Sequence, residues 1–291
     1  MKFTLPLLSL VLISACSEPT TQQTSEPAPL STVAVEATEA NDGWNLGYMA
    51  AVANPYATDA AALMLAQGGH AVDAAIAAHL VLGLVEPESS GIGGGGFMVV
   101  YEREEKQVHF LDGRETAPAG ATADMFMREN EQMGFLDAWQ SGKSIGVPGA
   151  IALYKLAHDE YGKLPWATLF EPAIQLASEG FEVTAKMAGY LPQLAQISRL
   201  DENPGSAEYF YPNGQPLQAG SLLRNPEYAH TLQRVAQEGP SAFYSGEIAE
   251  AMAEAAQAGP EAGSMTVEDI AAYNAVSRPA VCGAWRTLNI C

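Results

Sequence analysis

Eight consecutive positions, Ser89 to Gly96 (SSGIGGGG), hold five glycines and two serines. So many residues without a side chain are needed only where backbone must approach another element closely or take φ > 0. An apolar helical pattern leads into this loop, and Phe97, Met98, Val99, Val100 and Tyr101 leave it as a run that reads as a buried strand. The polar stretch Glu102 to Gln107 turns the chain, and Val108 to Leu111 return, which predicts a hairpin. At its far end stands Asp112-Gly113-Arg114-Glu115-Thr116, an arginine between two carboxylates where strand becomes loop. Binding residues favour such positions. Gly91, Gly93 and Gly96 also satisfy a G-x-G-x-x-G spacing. A dinucleotide site needs a strand before that loop and a helix after it, so that phosphate meets the helix N-terminus. Here the order is reversed, and the loop reads instead as a tight crossing between helix and strand.

With 34 acidic against 14 basic residues the net charge is −20, which argues against nucleic acid or an anionic membrane surface as partner. The 291 residues are enough for one large or two modest cores. Residues 1–16 read as a lipoprotein signal peptide: Lys2, an apolar run from Leu5 to Ile13, then Ile13-Ser14-Ala15-Cys16. This ending resembles a bacterial lipobox, which would make Cys16 the lipidation site and tether the protein to the outer membrane on its periplasmic side. A plain secretory signal is the alternative. The apolar run is too short to span a bilayer. Residues 17–44 are rich in Ser, Thr, Glu, Pro, Ala and Gln and read as a disordered linker. Cys282 and Cys291 remain, and their spacing alone leaves pairing undecided. The five histidines (His70, His79, His109, His158, His230) show no ligand spacing, so neither a metal site nor a cofactor is expected.

The folded body is expected over 45–291. Tyr48 to Ala53 reads as a first strand, followed by helices from Ala60 to Gln67 and from Asp73 to before Pro87. The second of these is apolar on nearly every side and must be buried, with His79 read as a packed histidine rather than a catalyst. Ser144 to Gly149 reads as a short strand and turn. Helices are expected at Ala150 to Tyr161, Trp166 to Glu179, Lys186 to Ile197, Pro226 to Glu238, Ser245 to Ala258 and Thr266 to Asn274. Thr266 with Asp269 three residues later is a capping pattern. The last residues look like the opening of another hairpin that stops in mid-strand.

Several separated motifs now stand in one order: Gly68-Gly69-His70-Ala71-Val72-Asp73-Ala74-Ala75, Glu86-Pro87 through Met98, Asp112 to Pro118, Val147-Pro148-Gly149, Tyr161 to Trp166, and Ala242-Phe243-Tyr244. Together they resemble the large subunit of γ-glutamyltransferases over about residues 45 to 291. The resemblance implies an α+β fold, an incomplete αββα sandwich of the N-terminal-nucleophile hydrolase type. It also implies a precursor that cuts itself, a threonine nucleophile on the small subunit, and glutathione or other γ-glutamyl compounds as substrates whose glutamyl group passes to water or an amino acid. Arg114 matches the arginine that holds the substrate α-carboxylate, a task suited to a planar two-pronged cation. The alternative is an arginine paired with Asp112 or Glu115 to pin the loop. The family's Pro-Ser-Ser-Gly-Gly loop, processing site and small subunit do not occur in these 291 residues. No catalytic residue is therefore expected in this chain, which would be a truncated sequence, a pseudogene product or half of a split enzyme, inactive alone. Two further readings are kept: a non-catalytic exported lipoprotein binding glutamyl peptides or a partner chain, and a relative of cephalosporin acylases, which act on a glutaryl side chain.

Overall fold

The computed structural model describes residues 47–259 and 261–291. The expected signal peptide with Cys16 and the expected linker over 17–44 lie outside the described residues.

Two helices open the body, α1 (Pro55–Ala66) and α2 (Ala71–Val85). Asn54 caps α1 by accepting the Tyr56 N–H at 3.1 Å, and Pro55 fills the first helical position, where its missing N–H costs nothing. The helix thus begins five residues before the expected Ala60. The expected strand Tyr48–Ala53 is irregular backbone instead: Tyr48 and Met49 face solvent, while Ala50 and Val52 pack on the core. Alternating burial there reflects a strap across the body rather than pairing to a strand. Helix α2 is capped reciprocally by His70 and Asp73. Its apolar surface is enclosed as expected, with Ile76, Ala77, Leu80 and Val81 fully buried.

The glycine loop then delivers β1 (Gly96–Glu102), which pairs antiparallel with β2 (Gln107–Gly113) in the register Phe97 to Asp112 and Tyr101 to Val108. Short strands β3 (Met127–Arg128) and β4 (Glu131–Gln132) and helix α3 (Phe135–Trp139) lead to α4 (Ala150–Tyr161). The expected strand over Ser144 to Gly149 reduces to a single bridge between Thr116 and Val147. The helix expected at Trp166 to Glu179 is a 3₁₀ turn at Trp166–Phe170 followed by α5 (Glu171–Glu179). Pro172 explains the break, since it cannot donate to the preceding turn. There follow β5 (Phe181–Glu182), α6 (Ala185–Ser198), α7 (Pro204–Phe210), β6 (Leu222–Leu223) and α8 (Pro226–Glu238). The helix expected at Ser245 to Ala258 is α10 (Glu247–Ala256), preceded by an additional short helix, α9 (Ser241–Tyr244), with Gly246 between them at φ 66°. Thr266 caps α11 (Val267–Ala271) through the predicted box with Asp269.

The chain returns to the first sheet as β7 (Val276–Pro279), so the order is β1-β2-β7. Instead of an unpaired terminal strand, β8 (Gly283–Trp285) and β9 (Leu288–Ile290) pair with each other, and a disulfide joins Cys282 to Cys291.

Leu111 and Val100 on one face of this sheet are buried with α4 residues Ile151, Leu153 and Tyr154 in the main core. The opposite face carries Phe97, Val99 and Tyr101, which are 58%, 58% and 60% exposed. The expectation that β1 is a buried strand is therefore corrected: one face is covered by helices and the other is open. Helix α4 supplies the one layer and no described residues supply its counterpart, which is the arrangement of half a sandwich.

Candidate functional site

Arg114 stands just past the end of β2, and three elements converge to place it. Its backbone N–H donates to Asp112 Oδ1 at 3.1 Å, and its carbonyl accepts the Tyr273 hydroxyl at 2.7 Å. The glycine loop lies directly against it. A methyl group on Gly95 would overlap the Gly113 carbonyl oxygen and stand 2.9 Å from the Glu115 nitrogen, so only glycine allows this approach. Gly149, at the start of α4, is equally confined between the Gly113 carbonyl and the Tyr273 hydroxyl. From the other side, Ala119 N–H donates to Asp269 Oδ1 at 3.0 Å, tying the loop after Arg114 to the cap of α11.

The two carboxylates that flank Arg114 have different partners. Asp112 Oδ2 accepts Arg278 Nε at 2.7 Å. The Arg114 backbone N–H, followed by Arg278, holds the Asp112 carboxyl below its ordinary range. Glu115 Oε2 lies 3.3 Å from Arg114 Nη1. The Arg114 side chain is 56% exposed, and its guanidinium sits 5.9 Å from the centre of the Phe97 ring, at the border of the open sheet face. A half-exposed, single-pronged pair of this kind is worth about 0–1 kcal/mol. A ligand carboxylate offering two oxygens competes with it readily.

Arg114 lines a cleft of about 400 Å³ together with Thr116, Phe126, Lys143 and Ile145. Reciprocal hydrogen bonds between Thr116 and Val147 hold one wall. Lys143 contributes a second cation, already matched: Glu261 accepts Lys143 Nζ and Arg128 Nη2, each at 2.7 Å. Lys143 and then Arg128 keep the Glu261 carboxyl below its ordinary range. Among the described residues no group of three or more His, Cys, Asp or Glu is arranged to hold a metal ion.

His79 is partly buried on α2, with both ring nitrogens engaged. Its Nε2 is 2.9 Å from Ser90 Oγ and its Nδ1 bonds the Tyr154 hydroxyl, while burial pushes its pKa down. Tyr273 and Lys143 carry no local mark in the sequence, and Asp269 is marked there only as the capping partner of Thr266, not as a tie to the Arg114 loop. They lie 29 to 159 positions from Arg114 along the chain.

The gamma-glutamyltranspeptidase family profile matches residues 57–291. The chain belongs to the gamma-glutamyltranspeptidase family. It is 37% identical to the glutathione hydrolase proenzyme of Bacillus subtilis over 228 residues, covering 78% of this chain and 38% of that protein. The gamma-glutamyltranspeptidase of Pseudomonas nitroreducens, solved in complex with L-DON, superimposes with a TM-score of 0.75 at 33% identity, over 84% of this chain and 70% of that one. The Helicobacter pylori gamma-glutamyltranspeptidase gives 0.79 at 30% identity, over 84% and 68%. The fold is thus the N-terminal-nucleophile hydrolase fold of this enzyme family. The chain spans between 32% and 38% of the length of the first curated relatives it matches.

Proposed function

We propose that this gamma-glutamyltranspeptidase chain forms the substrate-carboxylate side of a glutathione hydrolase active site, with Arg114 holding the α-carboxylate of the γ-glutamyl group. The observation that carries the reading is the position of its guanidinium, half-exposed at the junction of a cleft and an apolar sheet face. Holding the headgroup there fixes the distance to the γ-carbonyl, which is how a positioning cation lowers a barrier. The threonine nucleophile is supplied by a small subunit packed on the open face of β1. Covering Phe97, Val99 and Tyr101 there contributes roughly 1 kcal/mol for each half-exposed side chain. Several relatives are proenzymes by name, which supports a nucleophile generated by processing. Glutathione and other γ-glutamyl compounds are the substrates, with water or an amino acid as acceptor. Export as a lipoprotein anchored through Cys16 completes the reading: Cys16→Ser should abolish incorporation of labelled fatty acid.

Combining this chain with a family small subunit and following release of a γ-glutamyl chromophore tests the activity. Turnover that Arg114→Ala abolishes supports the reading, and a wild-type enzyme without turnover counts against it.

A further inference from the structure

We infer that His79 is a positioning residue for the Arg114 cleft, acting through a closed ring of contacts that joins α2, the glycine loop and α4. This rests on the reading of Arg114 as the carboxylate-binding group. The ring starts at His79 Nε2, which meets Ser90 Oγ at 2.9 Å. Ser90 opens the glycine loop, whose Gly94 carbonyl accepts the Gly149 N–H at 2.9 Å and the Ala150 N–H at 3.0 Å. Those two residues begin α4. Tyr154 lies one turn further along the same helix, and its hydroxyl returns to His79 Nδ1. A neutral imidazole donates from one nitrogen and accepts at the other, so two hydroxyls satisfy it in either tautomer.

The consequence reaches Arg114 because Gly95 follows Gly94 directly and lies against the backbone of Gly113 and Glu115 without slack. A displaced loop is therefore passed on to the arginine rather than absorbed. Gly91 and Gly93 leave room for an added methyl, and the Gly91 carbonyl accepts the Gly94 N–H at 3.1 Å within the loop itself. The loop is held by Ile92, which is packed, and by Ser90, which is hydrogen-bonded. Beside the ring, a cavity of about 260 Å³ bounded by His79, Tyr154, Gly95 and Gly96 gives the loop room to move once the tether is cut.

The test uses the enzyme assembled with its small subunit and two substrates, a γ-glutamyl anilide and its 4-aminobutyryl analogue, which lacks the α-carboxylate. In His79→Phe the KM for the γ-glutamyl anilide rises roughly tenfold while kcat stays within about twofold, and kinetics on the analogue are unchanged. Ser90→Ala and Tyr154→Phe each reproduce part of the effect, and Ser90→Ala adds nothing in the His79→Phe background. These milder variants also carry the test if His79→Phe does not fold. Equal losses on both substrates would reduce His79 to a structural residue and overturn the inference, as would an unchanged KM in all three variants. A wild-type enzyme that does not discriminate between the substrates would overturn the Arg114 reading itself, and the inference with it.

Discussion

Replacing Gly95 by alanine should damage the site through backbone alone. The added methyl would overlap the Gly113 carbonyl oxygen and approach the Glu115 nitrogen to 2.9 Å and the Arg114 carbonyl carbon to 3.1 Å, where ordinary contact begins at 3.4 Å. None of these atoms belongs to a flexible side chain. The glycine loop or the Arg114 loop must retreat by about half an ångström at Glu115 and by more at Gly113. Overpacking of this kind costs about 1–3 kcal/mol. In a body of this size that lowers the melting temperature by roughly 2–12 °C. A positioning group displaced by about 1 Å costs on the order of a hundredfold in rate, so the catalytic loss should exceed what the stability loss explains. Gly93→Ala is the matched control, because nothing lies within 4 Å of the methyl it would add. The assay pairs thermal unfolding with kcat/KM on a γ-glutamyl anilide in the assembled enzyme. If Gly95→Ala melts and turns over like Gly93→Ala, the close crossing does not position Arg114 and the reasoning fails.

Further outcomes follow from other contacts. The buried Asp73 Oδ2 accepts the backbone N–H groups of His70, Lys163 and Leu164, while Oδ1 has no partner among the described residues. Asp73→Ala should therefore cost about 3 kcal/mol or more in urea unfolding, and Asp73→Asn, which can keep an oxygen toward all three donors, about 1 kcal/mol. Asp269 is held below its ordinary pKa first by the Ala119 N–H and then by the Thr266 N–H. A depressed carboxylate contributes stability above its unfolded pKa and loses it as pH falls through the folded value, so the loss lies below roughly pH 4. Asp269→Asn should flatten the acid limb of stability, and an unchanged limb would contradict the assignment. Reducing the Cys282–Cys291 disulfide should free the exposed β8–β9 hairpin while the main core, which lacks these strands, keeps its protection in hydrogen exchange.

Where the chain's structure depends on neighbours in sequence, it was legible. The hairpin, α4, α8 and the Thr266–Asp269 box are marked by apolar runs around a polar turn, helical spacing and capping residues close at hand. Arg114 stands out in the sequence because a glycine-lifted arginine at a strand end is a local pattern, and the structure places it at the end of β2 beside a cleft. What escaped depends on distant partners. Tyr273 reaches the Arg114 carbonyl from the far end of the chain, and the Ser90–His79–Tyr154 contacts join three elements with no shared spacing. The open face of β1 is not legible in sequence, because an uninterrupted apolar strand reads the same whether its second cover is within these residues or elsewhere. Asn54-Pro55 can end a strand or open a helix by local pattern alone, and in the structure it is the cap and first residue of α1.

The most direct test compares Arg114→Ala and Arg114→Lys with wild type in the assembled enzyme, using a γ-glutamyl anilide and the analogue without the α-carboxylate. The account predicts that alanine erases discrimination between the two substrates and that lysine, a point charge without the two-pronged geometry, restores only part of it. Undiminished preference for the α-carboxylate in Arg114→Ala would contradict it.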